Sequence, residues 1–351
     1  MILFFNKNIM SNKKNESSDE NINLSESHDF QKEVHDASMI LKNIIDEVHK
    51  KVVWQDELIM GLLIGLVTKG HVLLEWLPWL AKTLTIDTLA KVLDVWFSRI
   101  QFTPDLLPSD LIGTEVYNMH TGEFSVKKWP LFNNFILADE INRAPSKVQS
   151  ALLEAMSEKS VTIWKESFTL DEPFIVLATQ NPVEHSGTYK LPEAQMDRFL
   201  LKINVWYPTP EQEIEMYQRK NSHHHEKIHK IVNKKDIAKL QQVVSQIYVS
   251  ENIFSYVFRI IDATRNTWKY HLDSLKNYIS YGVSPRGWLA MIQAAKVIAL
   301  WEWRTFVLPE DIKKVAFNTL NHRITLSYEA VASDITPHFI IQTILDTLSI
   351  I

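Results

Sequence analysis

The sequence predicts an α/β layered domain followed by a smaller all-helical one. Short apolar runs (HVLLE, RIQF, FILAD and FIVLAT) alternate with helical segments. Near-continuous apolar strands of this kind belong to a parallel sheet covered by helices on both faces. After Tyr207-Pro208 the composition turns polar, and from Lys239 to the end the apolar period is helical apart from SYGVSPRG. A chain of 351 residues is long enough for two domains with sizeable cores.

The elements follow in order. Residues 11–35 are rich in Ser, Asn and Glu without apolar periodicity, which predicts a disordered polar tail over 1–36. From Ala37 the spacing of Ile40, Leu41, Ile44, Ile45 and Val48 is helical, and a second apolar helix runs from Glu57 to Thr68. The α/β core then spans 37–208, a helical linker 209–236 and the helical domain 237–351. Two hairpins interrupt the core. In TEVYNMHTGEFSVKK the turn is His120-Thr121-Gly122; in SVTIWKESFTL, Val161 and Ile163 face Phe168 and Leu170 across Trp164-Lys165. A two-residue hairpin connection favours a positive-φ residue such as Gly or Asn, yet Trp stands there.

Composition narrows the function classes. Hydrophobic residues at 46% and charged residues at 23% are those of an ordinary globular protein. A net charge of −5 without basic stripes argues against nucleic acid as a partner. The absence of cysteine excludes disulfides and thiolate metal sites and fits a cytoplasmic protein. No apolar run reaches membrane-spanning length, so no membrane insertion is expected. MILFF is too short for a signal-peptide core, and Met10 is the expected start. The run His223-His224-His225 could ligate a metal, but it reads more simply as a solvated helix face.

The chemistry gathers at three strand ends. LLEWLPWLAKTL has the layout of a phosphate loop: an apolar strand, a turn, then Lys82-Thr83 opening a helix. Such loops use a Lys to reach the β- and γ-phosphates and a hydroxyl to hold Mg²⁺. FILADE ends in Asp139-Glu140, the layout of a Mg²⁺-binding and water-activating pair. A further strand ends in Ala178-Thr179-Gln180-Asn181, with amides where parallel strands present ligands.

These segments resemble the MoxR family of AAA+ ATPases over roughly residues 38–350. The resemblance is carried by RIQFTPDLLPSDLIGTEVY, LADEINRAPSKVQSALLEAM, VLATQNPVEHSGTYKLPEAQMDRFLL and GVSPRG. It implies a P-loop AAA+ core with a C-terminal helical lid, ATP and Mg²⁺ as ligands, and ATP hydrolysis between subunits of a homo-oligomeric ring, commonly a hexamer. It further implies remodelling or maturation of partner proteins, often von Willebrand factor A domain proteins, for metal or cofactor insertion or complex assembly. By position, Trp76, Pro78, Trp79, Ala81, Lys82 and Thr83 form the phosphate loop, with Thr83 and Asp139 on Mg²⁺. Glu140 polarises the attacking water and Asn181 positions it. Arg286 is the lid's γ-phosphate sensor, and Arg198 is the arginine finger, with Arg143 competing for that role. The stretch PSDLIGTEVY and its hairpin resemble the helix 2 insertion that sets this AAA+ clade apart, a projection that usually contacts substrate or partner.

The tryptophans break the pattern. The chain has 11 tryptophans and 8 glycines, and glycine at about 2% is far below the usual share of about 7%. The family's loop resembles E-G-x-P-G-x-A-K-T, where this chain has Trp76 and Trp79. Family glycines likewise align with Trp54, Trp129, Trp206 and Trp303, and Trp164 is a glycine position by its turn. Trp96, Trp268, Trp288 and Trp301 have no assigned status. One cause covers all seven: UGA codons that mean glycine in some bacterial lineages, written as tryptophan. Restoring glycine at all 11 gives 19 glycines, about 5% of the chain. The alternative is a nucleotide-free scaffold, a pseudo-ATPase whose pocket the indoles fill.

Overall fold

The computed structural model describes residues 16–76, 82–119, 123–128, 130–164, 166–181, 188–205, 207–221 and 227–349. The chain enters through α1 (Glu16–His49) and α2 (Asp56–Thr68), then alternates β1 (Val72–Trp76), α3 (Lys82–Val92) and β2 (Phe97–Gln101). A short α4 (Ser109–Ile112) leads into the hairpin β3 (Gly113–Asn118) and β4 (Glu123–Lys128). Next come β5 (Phe135–Asp139), α5 (Ser146–Glu158) and a second hairpin, β6 (Ser160–Ile163) and β7 (Glu166–Thr169). The core closes with β8 (Ile175–Gln180), α6 (Glu193–Met196) and β9 (Leu201–Val205). Beyond it lie α7 (Pro210–Asn221), α8 (Lys234–Gln246), α9 (Glu251–Arg265), β10 (Ile279–Tyr281), α10 (Pro285–Trp301) and α11 (Pro309–Leu320). β11 (Thr325–Leu326), α12 (Tyr328–Ala332) and α13 (Pro337–Thr347) complete the chain.

The central sheet is parallel, in the order β2-β5-β8-β1-β9. Alternate residues of its strands feed two cores. Val72, Leu74, Phe135, Leu137, Ile175 and Leu177 join the large cluster with α1, α2 and α3. Leu73, Ile136, Ala138, Val176 and Ala178 join the second cluster, beneath α5. Each large aliphatic side chain removed from water here contributes about 1.5–3 kcal/mol. Both faces are therefore dry, as the apolar runs predicted. His71 fills the strand entry: its Nδ1 accepts from Val176 N–H at 3.0 Å and its Nε2 meets the Met156 carbonyl at 3.1 Å. Burial pulls its pKa down to about 4, so the ring is a neutral crosslink at physiological pH.

Several expectations need correction. α1 begins at Glu16, well before Ala37, and buries Val34. A fifth strand, β9, was not read from the sequence, although Leu201, Ile203 and Val205 alternate inward. In the second hairpin Val161 does face Phe168, but Ile163 pairs with Glu166. That closing pair is what a two-residue Trp164-Lys165 connection dictates. The lid is not purely helical, because β10 and β11 form an antiparallel ribbon. The turn at His120-Thr121-Gly122 and the run His223-His224-His225 lie outside the described residues. Among those described, no helix is long and apolar enough to cross a membrane.

Backbone angles single out three tryptophans. Nine described non-glycine residues have positive φ, and three of them are Trp54 (φ 85°), Trp164 (φ 55°) and Trp303 (φ 60°). A bulky residue there is a steric outlier, since its Cβ crowds the backbone. Trp164 is the hairpin position. Trp303 follows the end of α10, where its N–H reaches the Leu300 carbonyl (3.0 Å) and Arg304 N–H the Ala299 carbonyl (2.9 Å). That left-handed turn after a helix is usually glycine. Trp96, Trp268, Trp288 and Trp301 lack positive φ, and Trp288 stacks on Phe254 at 5.4 Å in the lid core.

This contrast is measurable in a chain carrying all 11 tryptophans. Trp164→Gly is expected to stabilise by about 1 kcal/mol, because relief of strain (about 1–3 kcal/mol) exceeds the entropy cost of glycine (about 0.5–1 kcal/mol). Trp288→Gly is expected to destabilise by about 3 kcal/mol through lost packing. Denaturation midpoints check both, and a loss of stability at position 164 contradicts the strain argument.

Candidate functional site

Three neighbouring strands end at one edge of the sheet. β5 ends in Asp139, β8 in Gln180 followed by Asn181, and β1 in Trp76, just before residues 77–81. Open parallel sheets gather their ligand-binding groups beyond these carboxyl ends.

Asp139 is the most constrained group there, with a side chain only 2% exposed. Its Oδ1 accepts from Thr179 Oγ1 at 2.7 Å, and its Oδ2 accepts from Arg99 Nη2 at 2.6 Å and Nε at 3.1 Å. A buried carboxylate needs such partners, since leaving it unpaired costs several kcal/mol. Glu140 follows in the left-handed region, φ 59° and ψ 50°. Its N–H donates to Thr179 Oγ1 at 2.9 Å, and its carboxylate Oε2 accepts from Gln101 Nε2 (2.9 Å) and faces Arg143 Nε (3.1 Å). One hydroxyl therefore ties both acidic residues to β8. Gln149 holds the turn beyond them, donating from Nε2 to the carbonyls of Ile141, Ala144 and Tyr189 at 3.0–3.2 Å.

Of the other expected site residues, Lys82 and Thr83 open α3, and Thr85 Oγ1 donates to Gln55 Oε1 to tie α3 to the start of α2. Trp76 is the last residue of β1, while Pro78, Trp79 and Ala81 lie outside the described residues. Asn181 directly follows β8 and is half-buried. Arg198 Nη1 donates to the Leu153 carbonyl (2.8 Å) and Ser157 Oγ (2.9 Å) near the end of α5. Arg286 Nη1 is 3.5 Å from Asp197 Oδ2. Asp197 also accepts from Ser284 Oγ at 2.8 Å and Arg323 Nε at 2.9 Å. Arg323 donates further to the carbonyls of Leu200 and Phe199, so this cluster joins lid to core.

Sequence reasoning placed Thr179 at the strand end without a role, and gave no role to Arg99, Gln101, Gln149, Asp197 or Arg323. For Arg99 and Gln101 a signal existed: two-residue alternation along β2 sets both on one face.

Between the start of α2 and the end of β9 is a cavity of about 160 Å³ lined by Trp54, Gln55, Leu58, Asn204, Val205 and Tyr207. Asn204 pairs with Glu75 and Val205 with Trp76, so the cavity adjoins the end of β1. The amide oxygen of Asn204 is buried without a hydrogen-bond partner. No cluster of three or more His, Asp or Glu exists among the described residues. Hydrated Mg²⁺ does not need one, because it uses one or two protein oxygens plus water and phosphate. The buried Asp139 and the hydroxyl-bearing Thr83 suit it.

The family described as ATPase family associated with various cellular activities (AAA) matches residues 71–201, and the AAA lid domain matches 274–344. The chain is 45% identical over 310 residues to Chaperone MoxR1 of Mycobacterium tuberculosis, covering 88% of this chain and 82% of that one. The chain belongs to the MoxR family of AAA+ ATPases. This MoxR-family chain is also 40% identical to Bacillus subtilis YeaC, over 92% of its own length and 97% of YeaC. Its fold matches the crystal structure of a candidate ATPase from Cytophaga hutchinsonii with a TM-score of 0.88 and 50% identity, covering 93% and 99% of the two chains.

The bridging hydroxyl gives the site's own test. Thr179→Val keeps the shape but strips a partner from Asp139 Oδ1 and from Glu140 N–H. Stability is expected to fall by about 2 kcal/mol, read by chemical denaturation. A neutral outcome contradicts the bridging role.

Proposed function

We propose that this MoxR-family protein hydrolyses ATP at the interfaces of a homo-oligomeric ring, a hexamer by family resemblance, and uses the cycle to remodel partner proteins. The observation that carries the reading is the Asp139–Thr179–Glu140 linkage at the strand ends, one strand away from the helix opened by Lys82-Thr83. Bound Mg²⁺ supplies charge neutralisation on the phosphates. Lys82 holds the β- and γ-phosphates, and Thr83 and Asp139 hold the cation. Glu140 polarises the attacking water, and Asn181 orients it. Arg286 senses the γ-phosphate from the lid, and Arg198, or Arg143 in its place, reaches the neighbouring site; Arg286 and the finger add positive charge where negative charge develops. The cavity of about 160 Å³ beside Asn204 would take the adenine ring of ATP. Von Willebrand factor A domain proteins are the expected partners, metal or cofactor insertion or complex assembly the expected task, and the cytoplasm the expected compartment.

The reading requires glycine in the phosphate loop. Backbone N–H groups must wrap the phosphate there, and an indole at 76 or 79 stands in the way. We infer that UGA means glycine at positions 54, 76, 79, 129, 164, 206 and 303. Positive φ at Trp54, Trp164 and Trp303 supports this independently of family resemblance. The competing reading is a pseudo-ATPase that keeps the fold for assembly only.

The two readings separate cleanly. The gene is expected to carry UGA at those seven codons, and mass spectrometry of protein from the native source to find glycine at each. The glycine form is expected to bind ATP well and the all-tryptophan form poorly. UGG at codons 76 and 79 would favour the pseudo-ATPase. In the glycine form, Glu140→Gln is expected to retain ATP binding and lose hydrolysis, while Lys82→Ala weakens binding itself. Parental turnover in Glu140→Gln would remove Glu140 from its role.

A further inference from the structure

The geometry points to Arg99 as a positioning residue that holds Asp139 in the absence of the cation and is displaced when Mg²⁺ arrives. The exchange rests on the ATPase reading above, in which Asp139 faces the cation. Arg99 and Gln101 lie on one face of β2, and Gln101 pairs directly with Asp139 on β5. From there the Arg99 guanidinium directs both Nη2 (2.6 Å) and Nε (3.1 Å) at a single oxygen, Oδ2, while Thr179 holds Oδ1. Nη2 also donates to Gln101 Oε1 at 3.1 Å, and Gln101 Nε2 in turn donates to Glu140 Oε2 at 2.9 Å. Arg99 thus holds Asp139 directly and reaches Glu140 through Gln101, while Arg143 faces the same Glu140 oxygen.

A carboxylate oxygen offers about two lone-pair sites. With two Arg99 donors on Oδ2, water on an incoming Mg²⁺ lacks a free acceptor there until at least one of them leaves. Like charge drives the same exchange, because a guanidinium and a divalent cation on one carboxylate repel each other. The exposures decide which group moves. The Arg99 side chain is 47% exposed and that of Asp139 2%, so the guanidinium can turn into water while the carboxylate stays. The apparent affinity for Mg²⁺ is then lowered by the work of displacing Arg99. In return, the buried carboxylate keeps a cationic partner throughout.

The test uses the full chain with glycine at the seven positions, comparing the parent with Arg99→Met and Arg99→Lys. In the first arm, a fluorescent ATP analogue is bound across a Mg²⁺ titration. Arg99→Met is expected to lower the Mg²⁺ midpoint at least threefold, with Arg99→Lys between it and the parent. In the second arm, thermal melting is followed without nucleotide. Arg99→Met is expected to melt lower in EDTA and to regain more than the parent when Mg²⁺ alone is added, a response that a merely structural arginine would not give. An unchanged or raised Mg²⁺ midpoint overturns the proposal, and so does an equal Mg²⁺ gain in melting. Should the parent bind no nucleotide, the ATPase reading fails, and the melting arm still decides Arg99.

Discussion

The geometry of the strand-end site depends on one hydroxyl bridging two strands. Thr179 on β8 donates to Asp139 and accepts from the N–H of Glu140. That pair of bonds fixes the end of β5 against β8 and turns the chain into the left-handed conformation at Glu140. Strain of about 1–3 kcal/mol at such a residue persists only where its surroundings over-determine it. Here they do, because Gln149 fastens the carbonyls on the far side of the turn. The result sends the Glu140 carboxylate toward Gln101 and Arg143, while Asp139 stays in line with the strand. Two adjacent acidic residues thereby acquire separate directions.

A second constraint is steric and concerns the backbone. Left-handed residues cost little for glycine and more for any side chain with a Cβ. Helices such as α10 end on that conformation to satisfy their last carbonyls, and tight hairpins use it to match strand twist. Trp303 and Trp164 stand at one position of each kind. Trp288 instead sits in a helix interior with its ring stacked on Phe254. Backbone angle thus sorts tryptophans that composition alone cannot tell apart.

The layered core and the carboxyl-edge site were legible because both rest on short-range pattern. FILA and FIVLA are apolar over their whole length; Asp139-Glu140 follow the first directly and Thr179-Gln180-Asn181 the second. β9 escaped notice because its three apolar residues alternate with Lys202 and Asn204, which look like a surface segment until β1 pairs with them. The partners of the acidic pair were invisible for another reason. Arg99 and Asp139 are brought together by strand order, and no local period encodes which strands become neighbours. The start of α1 was misread because its polar first turns carry no apolar stripe.

The same reasoning explains how the lid is attached. Asp197 receives Ser284 and Arg286 from the start of α10 and Arg323 from beyond α11, so one carboxylate anchors two separate lid segments. The approach to Ser284 has little freedom, because a Cβ on Gly282 would lie 2.6 Å from the Thr264 carbonyl oxygen. The next residue, Arg198, turns the other way and binds the end of α5. Adjacent side chains of one short turn therefore hold the lid on one side and the core on the other. The lid contacts of Asp197 and the α5 contacts of Arg198 thus meet at a single peptide unit.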